Sequence, residues 1–169
     1  KTRRRRKAGQ PGASGVLWAA MLALLLWAFV VPVAMATETR LALVIGSSAY
    51  ASSPLANPKN DAEAIARALT AVGFSVTKLI DADQKAMRKA VVEFGRKLRA
   101  SDAAGLFYYA GHGVQVDGQN FLVPVGADIA AEQEVAVEGL NLSEVLKTME
   151  RTSGRVNIVI LDACRNNPF

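Results

Sequence analysis

The sequence predicts an α/β domain with a mostly parallel sheet and helices on both of its faces. Three observations predict it. Short, unbroken apolar runs recur along the chain, as strands buried on both sides require. Between them lie stretches with apolar residues every three or four positions, the mark of amphipathic helices. The two patterns alternate, and strand-helix alternation builds parallel sheets, because each helical crossover returns the chain to start a strand in the same direction.

The elements follow in order. Arg40 to Gly46 (RLALVIG) reads as a buried strand ending in a glycine turn. Ser47 to Lys59 is a loop rich in Ser, Pro and Asn. Asn60 is positioned to cap a helix over Asp61 to Val72, striped by Ile65, Leu69 and Val72 and closed by Gly73. Phe74 to Ile80 is the second strand. Asp83 can cap the next helix, whose stripe of Met87, Val91, Phe94 and Leu98 is expected to be core packing. Ala104 to Ala110 (AGLFYYA) is the third strand and runs straight into Gly111-His112-Gly113. Val114 to Val125 reads as a hairpin turning at Asp117-Gly118. Leu142, Val145, Leu146 and Met149 stripe a third helix, and Val156 to Leu161 (VNIVIL) is a fourth buried strand.

Charge is segregated. The chain of 169 residues carries a formal net charge of +5, but six of its twenty basic residues fall within the first seven positions. From Thr37 onward, 14 basic residues face 15 acidic ones, so the domain itself offers no basic face and nucleic-acid binding is not expected. The basic start leads into a nearly uncharged run, Val16 to Ala36, broken by Pro32 and ending in Ala34-Met35-Ala36. That is a secretory signal pattern with cleavage after Ala36, or an uncleaved anchor, since about 20 apolar residues can span a bilayer. Either way residues 1–36 form an export segment, with membrane contact through 16–36, and residues 37–169 form the domain. The domain is expected outside the cytoplasm, in the periplasm or extracellular space or held at the inner membrane.

One cysteine, Cys164, and one histidine, His112, exclude a disulfide framework and a zinc cluster. Each alone is compatible with a structural role. Together they are more informative. Doubly wound sheets place their sites at the carboxyl ends of the strands. His112 lies just past the third strand and Cys164 just past the fourth, so neighbouring strands would bring both to one rim.

The separation of 52 residues, histidine first, matches the spacing of about 50 seen in caspases. Tyr108-Tyr109-Ala110-Gly111-His112-Gly113 and Leu161-Asp162-Ala163-Cys164-Arg165 resemble the two catalytic motifs of caspase-like cysteine peptidases. The Asp-x-Cys-Arg form and Asn57-Pro58-Lys59-Asn60-Asp61-Ala62 are closer to the metacaspase and paracaspase branches and their bacterial relatives. The resemblance covers Arg40 to Phe169. It implies a three-layer α/β/α sandwich, here the large-subunit part, with a following segment that completes the sheet and walls the substrate groove.

It further implies a Cys164-His112 dyad, an oxyanion hole made by the backbone N–H groups of Gly113 and Cys164, and no cofactor. The partner is a peptide or protein substrate. Asp61 and Asp162 occupy positions assigned to the substrate pocket and would favour Arg or Lys before the scissile bond. The plainer roles are a first-turn helix acid for Asp61 and a carboxylate paired to Arg165 for Asp162. No carboxylate that would orient the histidine is evident, and Tyr108-Tyr109 is expected to serve packing. Many metacaspases respond to calcium, but Asp128, Glu132 and Glu134 fit no recognisable loop and read as a solvated acidic surface. The competing function is a non-catalytic interaction or scaffold module on the same fold.

Overall fold

The computed structural model describes residues 38–150 and 156–164. The expected export segment with its cleavage site, and Arg165, lie outside the described residues. Among the described residues no helix is long and apolar enough to cross a membrane.

The elements run β1 (Arg40–Gly46), α1 (Pro58–Ala71), β2 (Ser75–Ile80), α2 (Gln84–Ser101), β3 (Ala104–Gly111), β4 (Gly113–Val116), β5 (Gln119–Leu122), α3 (Glu132–Glu138), β6 (Leu140–Asn141), α4 (Leu142–Glu150) and β7 (Asn157–Ala163). Four strands form a parallel sheet in the order β2-β1-β3-β7. A small antiparallel sheet, β4-β5-β6, stands beside it. The fold is therefore the expected α/β arrangement with a mostly parallel sheet.

Its two central strands, β1 and β3, are apolar on both sides because both sides are covered. Leu43, Ile45, Phe107 and Tyr109 face Met87, Val91, Phe94 and Leu98 of α2 and Val145 and Met149 of α4. Ala42, Val44, Leu106 and Tyr108 face Ala62 and Ala66 of α1. The chain thus leaves β1 toward one face and returns to β3 from the other. That reversal opens a crevice beyond the carboxyl ends of β1 and β3, where such sheets hold ligands.

One local reading is corrected, and two features lie beyond it. Helix α1 starts at Pro58 rather than after Asn60, with Asn57 as its N-cap residue and no side-chain cap. The fixed φ of proline suits a first helical position, and that preference outweighs the capping potential of Asn60. Between the hairpin and α4, where the sequence declares no element, lie α3 and β6, too short at seven and two residues to show a period. On the acidic surface expected there, the exposed Glu134 also accepts hydrogen bonds from the backbone N–H groups of Ala130 and Ala131 at 2.7 and 3.0 Å. Other details hold. Asp83 accepts from the N–H of Ala86 at 2.7 Å as a cap should. Asp117 and Gly118 take φ of 48° and 74°, the positive pair that a tight hairpin turn demands.

Among the described residues, strand β7 is covered on one side only. Val159, Leu161 and Ala163 pack into the α2-α4 layer, whereas Ile158 and Ile160 on the other side remain 44% and 42% exposed. Phe107→Ala should therefore lower stability by about 3–5 kcal/mol, since it empties a fully buried site. Ile160→Ser should change it by about 0.5 kcal/mol or less. Chemical denaturation of both variants checks the contrast.

Candidate active site

The β3–β7 ladder decides which residues meet. Its pairs run from Gly105 opposite Asn157 to Gly111 opposite Ala163, a constant offset of 52 residues. His112 and Cys164 share that offset, so each is the next residue beyond the last pair, on adjacent strand ends. Gly113 closes the approach: a Cβ there would stand 2.7 Å from the carbonyl oxygen of Cys164 and 3.2 Å from the Cβ of Ala163. No side chain larger than hydrogen fits between these two strand ends. Cys164 is exposed and free.

The histidine is held from two directions by the loop that follows β1. Its Nε2 lies 2.8 Å from the carbonyl oxygen of Ser53. A carbonyl can only accept, so Nε2 carries the proton in the neutral ring and Nδ1 keeps its lone pair. This is the orienting partner that the sequence did not reveal: a main-chain oxygen leaves no mark in residue identity. From the other direction the Tyr50 hydroxyl accepts the backbone N–H of His112 at 3.0 Å and donates to the carbonyl of Val123 at 2.9 Å. The Tyr50 ring also lies against the imidazole, with centroids 4.4 Å apart and planes tilted by 53°.

Tyr109, from β3, reaches the same place from below, its hydroxyl 2.7 Å from the carbonyl oxygen of His112 and 3.0 Å from that of Val123. Burial raises the pKa of both hydroxyls, well above the ordinary value for Tyr109, so both stay protonated and able to donate. Gly111 makes room for them, since a Cβ would stand 2.6 Å from the Tyr109 oxygen and 2.7 Å from that of Tyr50. Both tyrosines of the Tyr108-Tyr109 pair pack in the core as expected, and Tyr109 also pins the histidine backbone.

The loop carrying Tyr50 and Ser53 is fixed in turn by Asp81, just after β2. One of its carboxylate oxygens accepts the N–H groups of Ser48 and Ala49 at 2.6 and 2.9 Å. Asp81 sits at a φ of 51°, which an aspartate tolerates better than most residues. Sequence reasoning passed over it. The signal available was an acid directly after a parallel strand, at the rim where sites form.

Asp61 and Asp162 stand apart from these contacts. Asp61 lies in the first turn of α1 and Asp162 pairs in register with Ala110. Burial first, then the charges of Asp162 and Asp61, raise the pKa of the Tyr108 hydroxyl. Both carboxylates therefore act on the hydroxyl of Tyr108, a side chain on the α1 side of the sheet. His112 and Cys164 instead open on a cleft of about 650 Å³ walled by the Tyr50 loop, Val114, Val123 and residues 126–129. Asp128 lies in that wall and Glu132 and Glu134 in the first turn of α3. Among the described residues no cluster of three or more His, Cys, Asp or Glu could hold a metal ion.

A histidine and a cysteine at adjacent strand ends, with a main-chain oxygen fixing the ring, is an arrangement to compare with known proteins. Residues 39–169 match the caspase domain family. The chain belongs to that family. It is 35% identical over 129 residues to human mucosa-associated lymphoid tissue lymphoma translocation protein 1, which covers 76% of this chain. The mouse homologue matches at the same 35% over the same length. The chain spans 15% of the length of either relative, so the match concerns a domain of each.

In this caspase domain the strand ends that carry Gly113 and Cys164 leave no room for a Cβ at position 113. The loop anchor is open to direct test. Asp81→Ala should cost about 1–3 kcal/mol, as two N–H groups lose a charged acceptor. Hydrogen exchange should accelerate at Ser48 and Ala49 while the β3 amides stay protected, and mass spectrometry of peptide fragments would read both.

Proposed function

We propose that this caspase domain is the catalytic part of an exported cysteine endopeptidase that cleaves peptide bonds after arginine or lysine. The observation that carries the reading is the shared strand-end position of His112 and Cys164, with Ser53 leaving Nδ1 of the imidazole free. In the proposed reaction the Cys164 thiol gives its proton to His112 and the sulfur attacks the scissile carbonyl. The oxyanion is received by the N–H groups of Gly113 and Cys164, each such donor being worth about 3 kcal/mol in comparable sites. His112 then passes the proton to the leaving amine, and water hydrolyses the thioester. The reaction needs no cofactor.

The basic preference rests on Asp61 and Asp162, whose charges both act on the Tyr108 hydroxyl. Two carboxylates in one place repel unless a cation sits between them. Arginine should be preferred over lysine because its planar guanidinium can engage carboxylates through paired hydrogen bonds. The uncovered side of β7, with Ile158 and Ile160 exposed, supports a further segment of the protein that pairs with this edge and walls the groove on the Asp162 side. Export by residues 1–36, with cleavage after Ala36 or retention in the membrane, completes the proposal.

The test is hydrolysis by the full-length protein of matched peptides carrying Arg, Lys or Asp before the scissile bond. Arg should lead, Lys should follow, and Asp should be poor. Cys164→Ala and His112→Ala should each lower turnover by at least about a thousandfold with the fold retained. Wild-type turnover by Cys164→Ala would refute the peptidase reading. A preference for Asp, or for Arg that survives Asp61→Ala with Asp162→Ala, would refute the basic pocket alone.

A further inference from the structure

The 650 Å³ cleft beside His112 and Cys164 has no part in the reading above, which places the residue before the scissile bond among Asp61 and Asp162. Those two aspartates are not in its walls. Its position and chemistry nevertheless restrict what it can hold. In acyl transfer by a thiol, the acyl half of the peptide stays bonded to sulfur while the leaving amine must come within hydrogen-bond reach of the protonated imidazole. The leaving half therefore runs past His112. His112 is itself a wall of this cleft, and Ser53, whose carbonyl holds the ring, is another. A second hollow at Cys164, against Leu161, Ala163 and Phe121, is about 80 Å³ and too small for the leaving half.

We propose that the cleft is the binding site for the leaving-group half of the substrate and selects an apolar side chain within the first two residues after the scissile bond. The inference rests on the peptidase reading and adds to it a second determinant of specificity. Size fits two or three residues, as the cleft lies within the span of roughly 300–1,000 Å³ typical of ligand sites. Chemistry selects the apolar class: Val114 and Val123 are buried in its walls and Ile129 is half-buried beside them. The charged side chain in the lining is Asp128, exposed at the lip, which disfavours an acidic residue in the leaving half.

The experiment measures kcat/KM of the full-length protein on peptides identical up to an arginine before the scissile bond. After it they carry Leu-Leu, Gly-Gly or Glu-Glu, and a further substrate carries a small fluorogenic amide. The Leu peptide should exceed the Gly peptide by about tenfold or more, the scale on which apolar pockets discriminate. Ile129→Ser should bring that ratio close to one, and Asp128→Lys, a surface change, should improve the Glu peptide relative to Gly. Equal rates for the Leu and Gly peptides, or ratios untouched by both substitutions, would overturn the inference while the peptidase reading stands. If no substrate is turned over, the fluorogenic amide included, the peptidase reading falls and this inference falls with it.

Discussion

The site depends on the register of one parallel ladder. Strand β3 pairs with β1 on one side and β7 on the other, and its last pair sets Gly111 against Ala163. A slip of one residue would turn every side chain of β7 to the opposite face. Leu161 and Ala163 would leave the α2-α4 core for solvent, and Ile158, Ile160 and Asp162 would enter it. Burying a carboxylate without a partner there is costly enough to exclude that register. The hydrophobic pattern of β7 therefore fixes where Cys164 emerges relative to His112, and core packing specifies the chemistry at the rim.

A second layer of constraint converts proximity into orientation. The loop after β1 crosses the switch point of the sheet and is tied down at Ser48 and Ala49 by Asp81. From there it presents Tyr50 to the backbone of His112 and the Ser53 carbonyl to its ring. The hydroxyls of Tyr50 and Tyr109 lie 3.2 Å apart among the carbonyl groups of His112 and Val123, so the histidine sits on a buried polar framework within an apolar core. Networks of this kind hold a geometry well when every member is satisfied, since an unpaired buried group is expensive. The glycines flanking His112 are small for that reason: neither Gly111 nor Gly113 has space for a Cβ.

These layers explain what was legible beforehand. The four sheet strands and the helices striped by Val91 and Val145 were legible because burial on a face writes its period into the sequence. His112 and Cys164 were legible because strand ends can be read and their spacing is characteristic. The orienting partner was not, because it is the main chain of Ser53, and any residue would supply the same oxygen. Asp81 and Tyr50 act through loop geometry, which no period encodes. Asp61 and Asp162 were named from motif positions. Asp61 in the first turn of α1 and Asp162 in β7 both raise the pKa of the Tyr108 hydroxyl.

The central claim is that the fold delivers His112 to Cys164 with its ring fixed by Ser53, proton on Nε2 and lone pair on Nδ1. Because the chain contains one histidine, a single imidazole signal reports that state without ambiguity. The most direct measurement is the nitrogen-15 spectrum of this ring above the pH at which it is neutral. The account predicts a protonated Nε2 and an unprotonated Nδ1. A proton on Nδ1, or an even average of the two tautomers, would contradict it.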